Sequence, residues 1–261
     1  RGIPTEVAGV PPDYFSKDGQ LWGNPLYNYD AMKRDGFGWW IRRVDGAARL
    51  YDVIRIDHFR GFASYWAVPF GSQTAKNGRW VKGPGLDLLS VLTGWFHGIR
   101  FIAEEPSPDV TKLLADSGLP GMRVLEFAFS PTADSAYLPH NCVENCVCYA
   151  GTHDNAPLAL WRQEAEPEEI DFAVQYLGLN EREGFNRGVL RGGMTSPASL
   201  FVAQMQDWLE LGEGSRINTP GTGRDNWQWR LLPGELTVDL ISGIREMTRI
   251  YGRLPAKQSK T

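Results

Sequence analysis

Residues 51–62 read YDVIRIDHFRGF, a short apolar run that stops in charged residues. The β-branched residues suit a buried strand, whereas Arg55 interrupts the run and Asp57 and His58 end it. Ionised side chains are costly to bury. Charge at the tip of a buried strand therefore needs a reason that packing alone does not supply.

The composition is that of a globular protein with one sizeable core. The chain has 261 residues, of which 42% are hydrophobic and 22% charged, and we expect a single domain over residues 1–261. No stretch approaches the roughly eighteen apolar residues of a membrane span, and no basic-then-apolar leader opens the sequence. The net charge of −4, with dispersed Lys and Arg, argues against nucleic acid as a partner.

Three cysteines, Cys142, Cys146 and Cys148, lie close together near His140. Their odd number argues against a disulfide framework and for a reducing compartment, so we expect a cytoplasmic protein. The C-x3-C-x-C spacing matches no usual zinc pattern, and ordinary buried thiols are the favoured interpretation.

Aromatic residues are numerous, with 10 Trp, 9 Tyr and 12 Phe. Several lie in polar, Gly-rich segments such as GQLWGNPLYNY at 19–29 and GRDNWQWR at 223–230. Aromatic faces stack on sugar rings, although any one of these residues is also explained as an amphipathic side chain at the rim of the core.

Short apolar runs alternate with helical patterns along the chain. Strands are predicted at 51–56, 99–103, 122–129, 146–150 and 200–204. Helices are predicted at 86–96, 107–117, 167–178 and 234–250. This alternation predicts an α/β fold with a parallel sheet covered by helices.

Acidic residues follow three of these strands. Asp57 ends the first, Glu104 and Glu105 end the second, and Asp154, beside His153, follows the fourth. In a closed (β/α)8 barrel the carboxyl ends of all strands meet at one mouth, where the chemistry takes place. A single acidic residue at the end of a strand is readily explained as the start of an exposed loop. Acidic residues at three strand ends, with Arg or His beside them, favour a shared pocket.

Carboxylates in an aromatic-lined cleft suit the chemistry of glycosidic bonds. In retaining enzymes one carboxylate attacks the anomeric carbon, and a second, about 5–5.5 Å away, protonates the departing oxygen and then deprotonates the incoming one. No Walker loop, G-x-S-x-G or H-E-x-x-H motif offers a competing site.

Six blocks of sequence together carry a resemblance to a known family. They are AGVPPDYFSKDGQLWGNPLYNY (8–29), IRIDHFRGF (54–62), IAEE (102–105), GLPGMRVLEFAF (118–129), GTHDN (151–155) and RINTPGT to NWQWR (216–230). With these blocks the chain closely resembles amylomaltases, the bacterial 4-α-glucanotransferases of the α-amylase clan.

The resemblance implies a (β/α)8 barrel of the TIM type. It covers only the C-terminal half of such enzymes, so we expect the last five barrel strands, strands four to eight, in this chain. The N-terminal half of the barrel is expected to be missing here, either cut from a longer chain or supplied by another polypeptide.

The resemblance also assigns catalytic roles. Asp57 is implied to be the nucleophile, Glu104 the general acid/base, and Asp154 the carboxylate that holds the 2- and 3-hydroxyls of the sugar. Arg55 would favour the ionised form of Asp57, and the charge at the tip of the first strand is then the reacting group. Glu105 departs from the family pattern, in which Asp follows the acid/base Glu.

A set of substrate contacts follows from the same resemblance. The block at 8–29 is expected to be a mobile active-site loop that limits the access of water and favours transfer over hydrolysis. The residues expected to contact the glucan are Arg55, His58, His153, Tyr14, Phe15, Gln20, Trp22 and Asn218.

The sequence therefore predicts a 4-α-glucanotransferase that moves segments of α-1,4-glucan between maltooligosaccharides through a covalent intermediate on Asp57. No metal and no organic cofactor is expected, and neither nucleic acid nor a membrane is an expected partner. Two alternatives stay open, an α-glucan hydrolase of the same clan and a non-catalytic glucan-binding module. The products formed from a short maltooligosaccharide distinguish all three.

Overall fold

The computed structural model of the protein describes residues 2–12, 16–104, 110–131 and 134–255. The chain divides into two compact units, Arg1–Gly121 (unit 1) and Met122–Thr261 (unit 2). Each unit has its own hydrophobic core. That the whole chain forms one domain stays a prediction.

Unit 1 contains an antiparallel sheet that the sequence patterns did not predict. Its strands pair in the order β2-β1-β4-β5 and are β1 (Glu6–Val10), β2 (Gln20–Pro25), β4 (Ser64–Pro69) and β5 (Arg79–Lys82). A Cβ on Gly9 of β1 would collide with the Gln20 carbonyl oxygen of β2, so glycine permits this close pairing. The segment expected to be an active-site loop thus contains two paired strands.

Unit 1 also holds the first of the predicted parallel strands. β3 (Val53–Ile56) pairs with β6 (Arg100–Ala103), with Ile56 opposite Ala103. Ala103 also pairs with Gly121, the first residue of β7 (Gly121–Val124). β3 lies at the sheet edge and Val53 is 40% exposed, so the prediction that this strand is buried is wrong. An edge strand is covered by a neighbouring strand on one side only.

Helices cover the parallel strands of unit 1. They are α1 (Tyr29–Arg34), α2 (Gly38–Ala48), α3 (Arg60–Ala63), α4 (Gly85–Trp95) and α5 (Thr111–Ser117). Leu88, Leu89 and Leu92 form the buried face of α4 and pack in one cluster with Phe59 and Phe101. Their spacing of three and four residues is the helical signal that predicted α4.

Unit 2 contains the other parallel strands. β8 (Cys146–Tyr149) follows β7 in the hydrogen-bonded order and pairs in parallel with β9 (Leu200–Val202). The strand predicted at 122–129 is shorter than expected, because the chain enters a 3-10 turn at Leu125–Phe127. All five predicted parallel strands are therefore present, and the strand predicted at 122–129 departs most from its predicted end.

Five α-helices accompany these strands in unit 2. They are α6 (Leu158–Glu164), α7 (Pro167–Leu177), α8 (Phe185–Thr195), α9 (Met205–Trp208) and α10 (Val238–Ile250). α7 begins with Pro167 and carries Glu168 and Glu169 in its first turn, which suits the positive end of the helix dipole. Gly192 and Gly193 let α8 approach Leu177 and Phe201 closely.

The three cysteines are free and buried, as the sequence predicts. Cys142 and Cys146 exchange a side-chain hydrogen bond, and this contact and burial raise the pKa of the Cys146 thiol. Among the described residues, no group of three or more His, Cys, Asp and Glu side chains is arranged to hold a metal ion. No helix in the described ranges has the length and apolar character needed to cross a bilayer.

Replacing Gly193 by Ala is expected to destabilise unit 2, because the new methyl group would overlap the ring of Phe201. Overpacking of this kind costs about 1–3 kcal/mol, measured as the free energy of unfolding in denaturant. Gly243→Ala in α10 is the matched control, since only Arg187 guanidinium atoms lie near that site, at an ordinary 3.5 Å. That change should be neutral or stabilise by up to about 1 kcal/mol. Equal losses in the two variants would contradict the packing assigned to Gly193.

Candidate active site

The register of the parallel ladder in unit 1 places Asp57 beside Glu104. Ile56 and Ala103 are the last paired residues of β3 and β6, and the Glu104 N–H donates to the Ile56 carbonyl at 3.0 Å. Asp57 and Glu104 are thus the next pair across neighbouring strands, whose backbones lie about 4.8 Å apart. Arg55, two residues before Asp57, leaves the same face of the strand.

Arg55 joins the two carboxylates. Its Nη2 donates to Asp57 Oδ1 at 2.5 Å and to Glu104 Oε1 at 3.0 Å. The two oxygens can therefore be no further apart than these two distances laid end to end. The Asp57 side chain is 79% exposed, whereas that of Glu104 is 33% exposed. One acid is therefore open to an incoming ligand and the other is partly enclosed.

His58 links this pair to the aromatic residues of β2. Its backbone has a φ of 45°, in the left-handed region, and its N–H donates to Glu104 Oε2 at 2.5 Å. Burial lowers the pKa of the His58 ring, and this effect outweighs the nearby Glu104 and Asp57, which act in the opposite direction. The ring is therefore neutral at neutral pH and can both donate and accept a hydrogen bond.

Trp22 and Gln20 lie on the strand that approaches His58. The ring of Trp22 meets that of His58 edge-on, with centroids 4.9 Å apart. The Trp22 indole N–H donates to Gln20 Oε1 at 3.1 Å, which fixes the two side chains relative to each other. Trp22, expected from the block at 8–29, thus contacts His58, and Gln20 from the same block is bonded to Trp22.

A cavity of about 530 Å³ lies in unit 1, with Arg55, Asp57 and His58 on its wall. Other lining residues are aromatic and include Trp22, Tyr27, Tyr29, Trp40, Tyr65 and Trp66. Aromatic faces beside a few convergent polar groups are typical of a site for a small organic ligand.

Unit 2 holds the third predicted acid, Asp154, in the turn that follows β8. Asn218 Nδ2 donates to Asp154 Oδ1 at 2.5 Å, and His153 Nε2 lies 3.3 Å from Asp154 Oδ2. The Asn218 N–H also donates to the His153 carbonyl at 3.1 Å. The sequence analysis named all three of these residues, and they form one cluster.

Two residues that the sequence analysis did not name support this cluster. Arg216 donates through Nη2 to the Asp154 carbonyl at 2.8 Å and through Nε to the Asn218 carbonyl at 2.9 Å. Trp227 packs on His153 with ring centroids 5.1 Å apart and is 56% exposed. Both lie in the quoted block 216–230, so the block marked the right segment without giving their contacts.

Two buried carboxyl groups contact residues on either side of the Asp154 turn, and the sequence analysis did not predict them. Glu126 is 7% exposed and Asp207 is fully buried. Burial raises the pKa of Asp207 to about 6, against hydrogen bonds from the Leu158 and Gln204 backbones that lower it. Burial, and then the nearby Asp207, raise the pKa of Glu126 well above its usual range.

Three predicted residues, Tyr14, Phe15 and Glu105, lie outside the described residues. The remaining candidates fall into two groups, one around Asp57 in unit 1 and one around Asp154 in unit 2. The catalytic and binding roles given to them stay predictions.

A family model described as 4-alpha-glucanotransferase matches residues 4–236. The chain belongs to the 4-α-glucanotransferase family. The 4-alpha-glucanotransferase of Clostridium butyricum is 44% identical over 254 residues, which make up 96% of this chain and 52% of that protein. The chloroplastic/amyloplastic 4-alpha-glucanotransferase of Solanum tuberosum is 43% identical over 261 residues, 97% of this chain and 45% of that one.

A solved structure gives the same result. The amylomaltase from Streptococcus agalactiae in complex with acarbose matches with a TM-score of 0.89 and 39% identity, over 97% of this chain and 52% of that one. The chain therefore spans about half the length of the 4-α-glucanotransferases that it matches. The resemblance drawn from the six blocks is confirmed, and parallel strands alternating with helices are consistent with part of a TIM-type barrel.

Proposed function

We propose that the protein acts as a 4-α-glucanotransferase, moving segments of α-1,4-glucan from one maltooligosaccharide to another. The observation that carries the proposal is the Arg55 guanidinium, bonded to Asp57 and Glu104 at once. This contact keeps the two acids close together, and a close pair of acids is what retaining chemistry requires. Membership of the 4-α-glucanotransferase family supports the choice of substrate.

In the first step, an Asp57 carboxylate oxygen attacks the anomeric carbon of the donor, and the bond from that carbon to the glycosidic oxygen breaks. Glu104 gives its proton to the departing oxygen, which leaves as the 4-hydroxyl of the released segment. Arg55 donates a hydrogen bond to Asp57, the acid that attacks. The product is a glycosyl ester of Asp57.

In the second step, Glu104 takes the proton from the 4-hydroxyl of a second glucan, whose oxygen attacks the same anomeric carbon. The ester bond breaks, Asp57 returns as a carboxylate, and the configuration of the sugar is retained. His58, neutral and bonded to Glu104 through its N–H, offers its ring to a sugar hydroxyl. Asp154, oriented by Asn218, accepts hydrogen bonds from the 2- and 3-hydroxyls.

Transfer instead of hydrolysis requires that a glucan reach the ester before water does. Trp22 and Gln20 lie on β2, beside His58, and present an aromatic face and an amide to an acceptor. We assign the exclusion of water from the ester to the segment at 8–29, which includes Tyr14 and Phe15. His153, whose ring packs against that of Trp227, provides a further contact to the sugar.

The parallel strands are proposed to be five of the eight strands of a (β/α)8 barrel. The edge position and partial exposure of β3 support this, since a further strand would satisfy its free backbone groups. The chain also matches about half of each full-length relative. The N-terminal strands of such a barrel are therefore a proposed partner of this chain.

The cytoplasmic location stays a prediction. The buried free thiols agree with a reducing compartment. The relative from Solanum tuberosum is described as chloroplastic/amyloplastic, so the family is not restricted to one compartment.

Asp57→Asn is expected to abolish transfer, by about a thousandfold or more, because an amide cannot form the glycosyl ester. The natural full-length protein that contains this sequence should convert maltotriose into glucose and longer oligomers together. Asp52→Asn, an exposed acid just before β3, is the matched control and should keep full activity. Production of shorter sugars alone would indicate a hydrolase, binding without products a glucan-binding module, and an active Asp57→Asn variant a different nucleophile.

Glu104→Gln should slow transfer strongly, whereas Glu105→Gln should not, because adjacent residues on an extended strand face opposite ways and the Glu104 carboxylate accepts a hydrogen bond from Arg55. An α-maltosyl fluoride donor needs little protonation of its leaving group and should restore the first step of the Glu104→Gln variant. Release of fluoride ion measures that step. Rescue of Glu105→Gln in place of Glu104→Gln would exchange their assignments.

Residues 1–261 alone are expected to be poorly active and prone to aggregation. The edge of β3, whose residues are partly exposed, would be open to pairing with other molecules. Adding the N-terminal half of a relative should raise both the soluble fraction and the transfer rate, measured by size-exclusion chromatography and maltotriose conversion. A soluble monomer of these residues with the activity of a full-length relative would contradict the proposed barrel.

A further inference from the structure

The short helix α9 carries buried polar side chains that the proposed reaction does not use. It is four residues long, and its Gln206 and Asp207 are 1% and 0% exposed. Gln204, the residue just before the helix, is partly buried. Burying a polar group is costly unless it is hydrogen-bonded. The partners of these side chains therefore indicate what the helix holds in place.

Two of these side chains hold the backbone on either side of Asp154. Gln204 Nε2 donates to the Thr152 carbonyl at 3.0 Å, two residues before Asp154. Asp207 Oδ1 accepts from the Leu158 N–H at 2.8 Å, where α6 begins. Both ends of the turn are thus bonded to the same short helix.

Gln206 holds a third segment, which has no regular structure of its own. Its Nε2 donates to the Ser215 carbonyl at 3.0 Å in the protein interior, and its own carbonyl accepts from the Leu211 N–H at 2.9 Å. Residues 209–237, all of which the structure describes, form neither helix nor strand. Their backbone groups therefore depend on side chains and turns for hydrogen bonds. The Gln206 amide fixes Ser215 where neither a ladder nor a helix does.

The residues that orient Asp154 follow Ser215 directly. Arg216 Nη2 donates to the Asp154 carbonyl at 2.8 Å, and Asn218 Nδ2 donates to Asp154 Oδ1 at 2.5 Å. Arg216 Nε also donates to the Asn218 carbonyl at 2.9 Å, which joins the two donors to each other. A displacement of Ser215 therefore moves both groups that hold Asp154.

We infer that Gln206 is a positioning residue for Asp154: by holding the Ser215 carbonyl, it sets where the Asn218 amide meets the Asp154 carboxylate. The inference rests on the proposed function, in which Asp154 accepts hydrogen bonds from the 2- and 3-hydroxyls of the sugar. Because Gln206 is 1% exposed, a bound glucan cannot contact it. Its effect on the sugar passes through Asn218.

The expected effect is specific for the hydroxyls that Asp154 binds. A hydrogen bond to a carboxylate is strong only when its geometry is good, and sites of this kind need their groups within about half an ångström of the working position. If Asn218 is displaced, Asp154 loses its aim and the bond to the 3-hydroxyl weakens. Asp57 and Glu104, which belong to unit 1, keep their own contacts.

The test compares two donors, α-maltosyl fluoride and the same compound without the 3-hydroxyl on its fluorinated unit. Gln206→Met keeps the volume of the side chain and removes the N–H donor. It is made in the natural full-length protein that contains this sequence. The readout is the ratio of kcat/KM for the two donors, from the release of fluoride ion. This ratio does not depend on how much of a variant is folded, so loss of stability alone leaves it unchanged.

Ser196→Ala is the matched control. Ser196, at the end of α8, is 5% exposed, and its hydroxyl donates to the Gly193 carbonyl at 2.7 Å. The change therefore also removes a buried hydrogen bond from a side chain to a backbone carbonyl of unit 2. Asn218→Ala and the double variant Gln206→Met/Asn218→Ala show whether Gln206 acts through Asn218.

Removing the 3-hydroxyl should cost the wild type and Ser196→Ala about tenfold or more in kcat/KM, because a hydrogen bond to a charged group is lost. Gln206→Met should be about tenfold weaker with the complete donor and should lose less than about threefold further without the 3-hydroxyl. The double variant should be no weaker than Asn218→Ala, since both changes remove the same contact.

A loss in Gln206→Met as large as in the wild type would overturn the inference, and so would losses that add in the double variant. If Gln206→Met does not fold, Gln206→Asn, whose amide is set back by one methylene group, takes its place in the same comparison. A wild type that transfers nothing from maltotriose would refute the proposed function and the inference together. An active wild type that shows the loss, with an equal loss in the Gln206 variant, refutes the inference alone.

Discussion

The arrangement of the site depends on one guanidinium group held between two carboxylates. Asp57 and Glu104 are brought together by the register of β3 and β6, and without a cation between them they would repel each other. Arg55 lies between the two carboxylates because side chains two residues apart on a strand point to the same face, and Asp57 follows Arg55 by two residues. The backbone N–H of His58, turned inward by its left-handed conformation, gives Glu104 a second partner. The aromatic residues around the cavity can orient a ligand for reaction only because this pair of acids has a fixed position.

The Asp154 cluster is built in another way. Asp154 lies on a turn, so its position is not set by the pairing of neighbouring strands. Several hydrogen bonds hold the turn instead. Asn218 and Arg216 bind it from the segment after α9, and within the turn Asn155 Oδ1 accepts two hydrogen bonds from Thr152. Asp207 anchors the Leu158 N–H, where α6 begins directly after the turn. Buried polar groups of this kind specify one conformation only when their partners are in place, which lets residues away from Asp154 influence the position of its carboxylate.

The parallel strands and the main acids could be predicted from the sequence because their signals are local. An apolar run followed by an acid is visible in a few residues, and the order of the strands follows from their alternation with helices. The antiparallel sheet of unit 1 has no such signal. All six residues of β2 are exposed, so this strand shows no periodic apolar pattern. β1 pairs with β4, more than fifty residues away in the sequence, and no local pattern indicates such a pairing. Glu126 was missed for a related reason: it lies inside an apolar run that predicts a continuous strand, and the turn at Leu125–Phe127 appears only in the folded chain.

Because β2 pairs at the outer side of its sheet, it can change in sequence without disturbing the strands next to the proposed catalytic residues. β2 is bonded along one side to β1, while β1 is fixed on its other side to β4 within the sheet of unit 1. No residue of β2 is part of a hydrophobic core cluster. Insertions, deletions and exchanges of side chain on this outer strand can therefore accumulate during evolution at little cost in folding. If the proposed function holds, variation in which glucans are accepted can arise on β2, while the strands next to Asp57 and Glu104 stay unchanged.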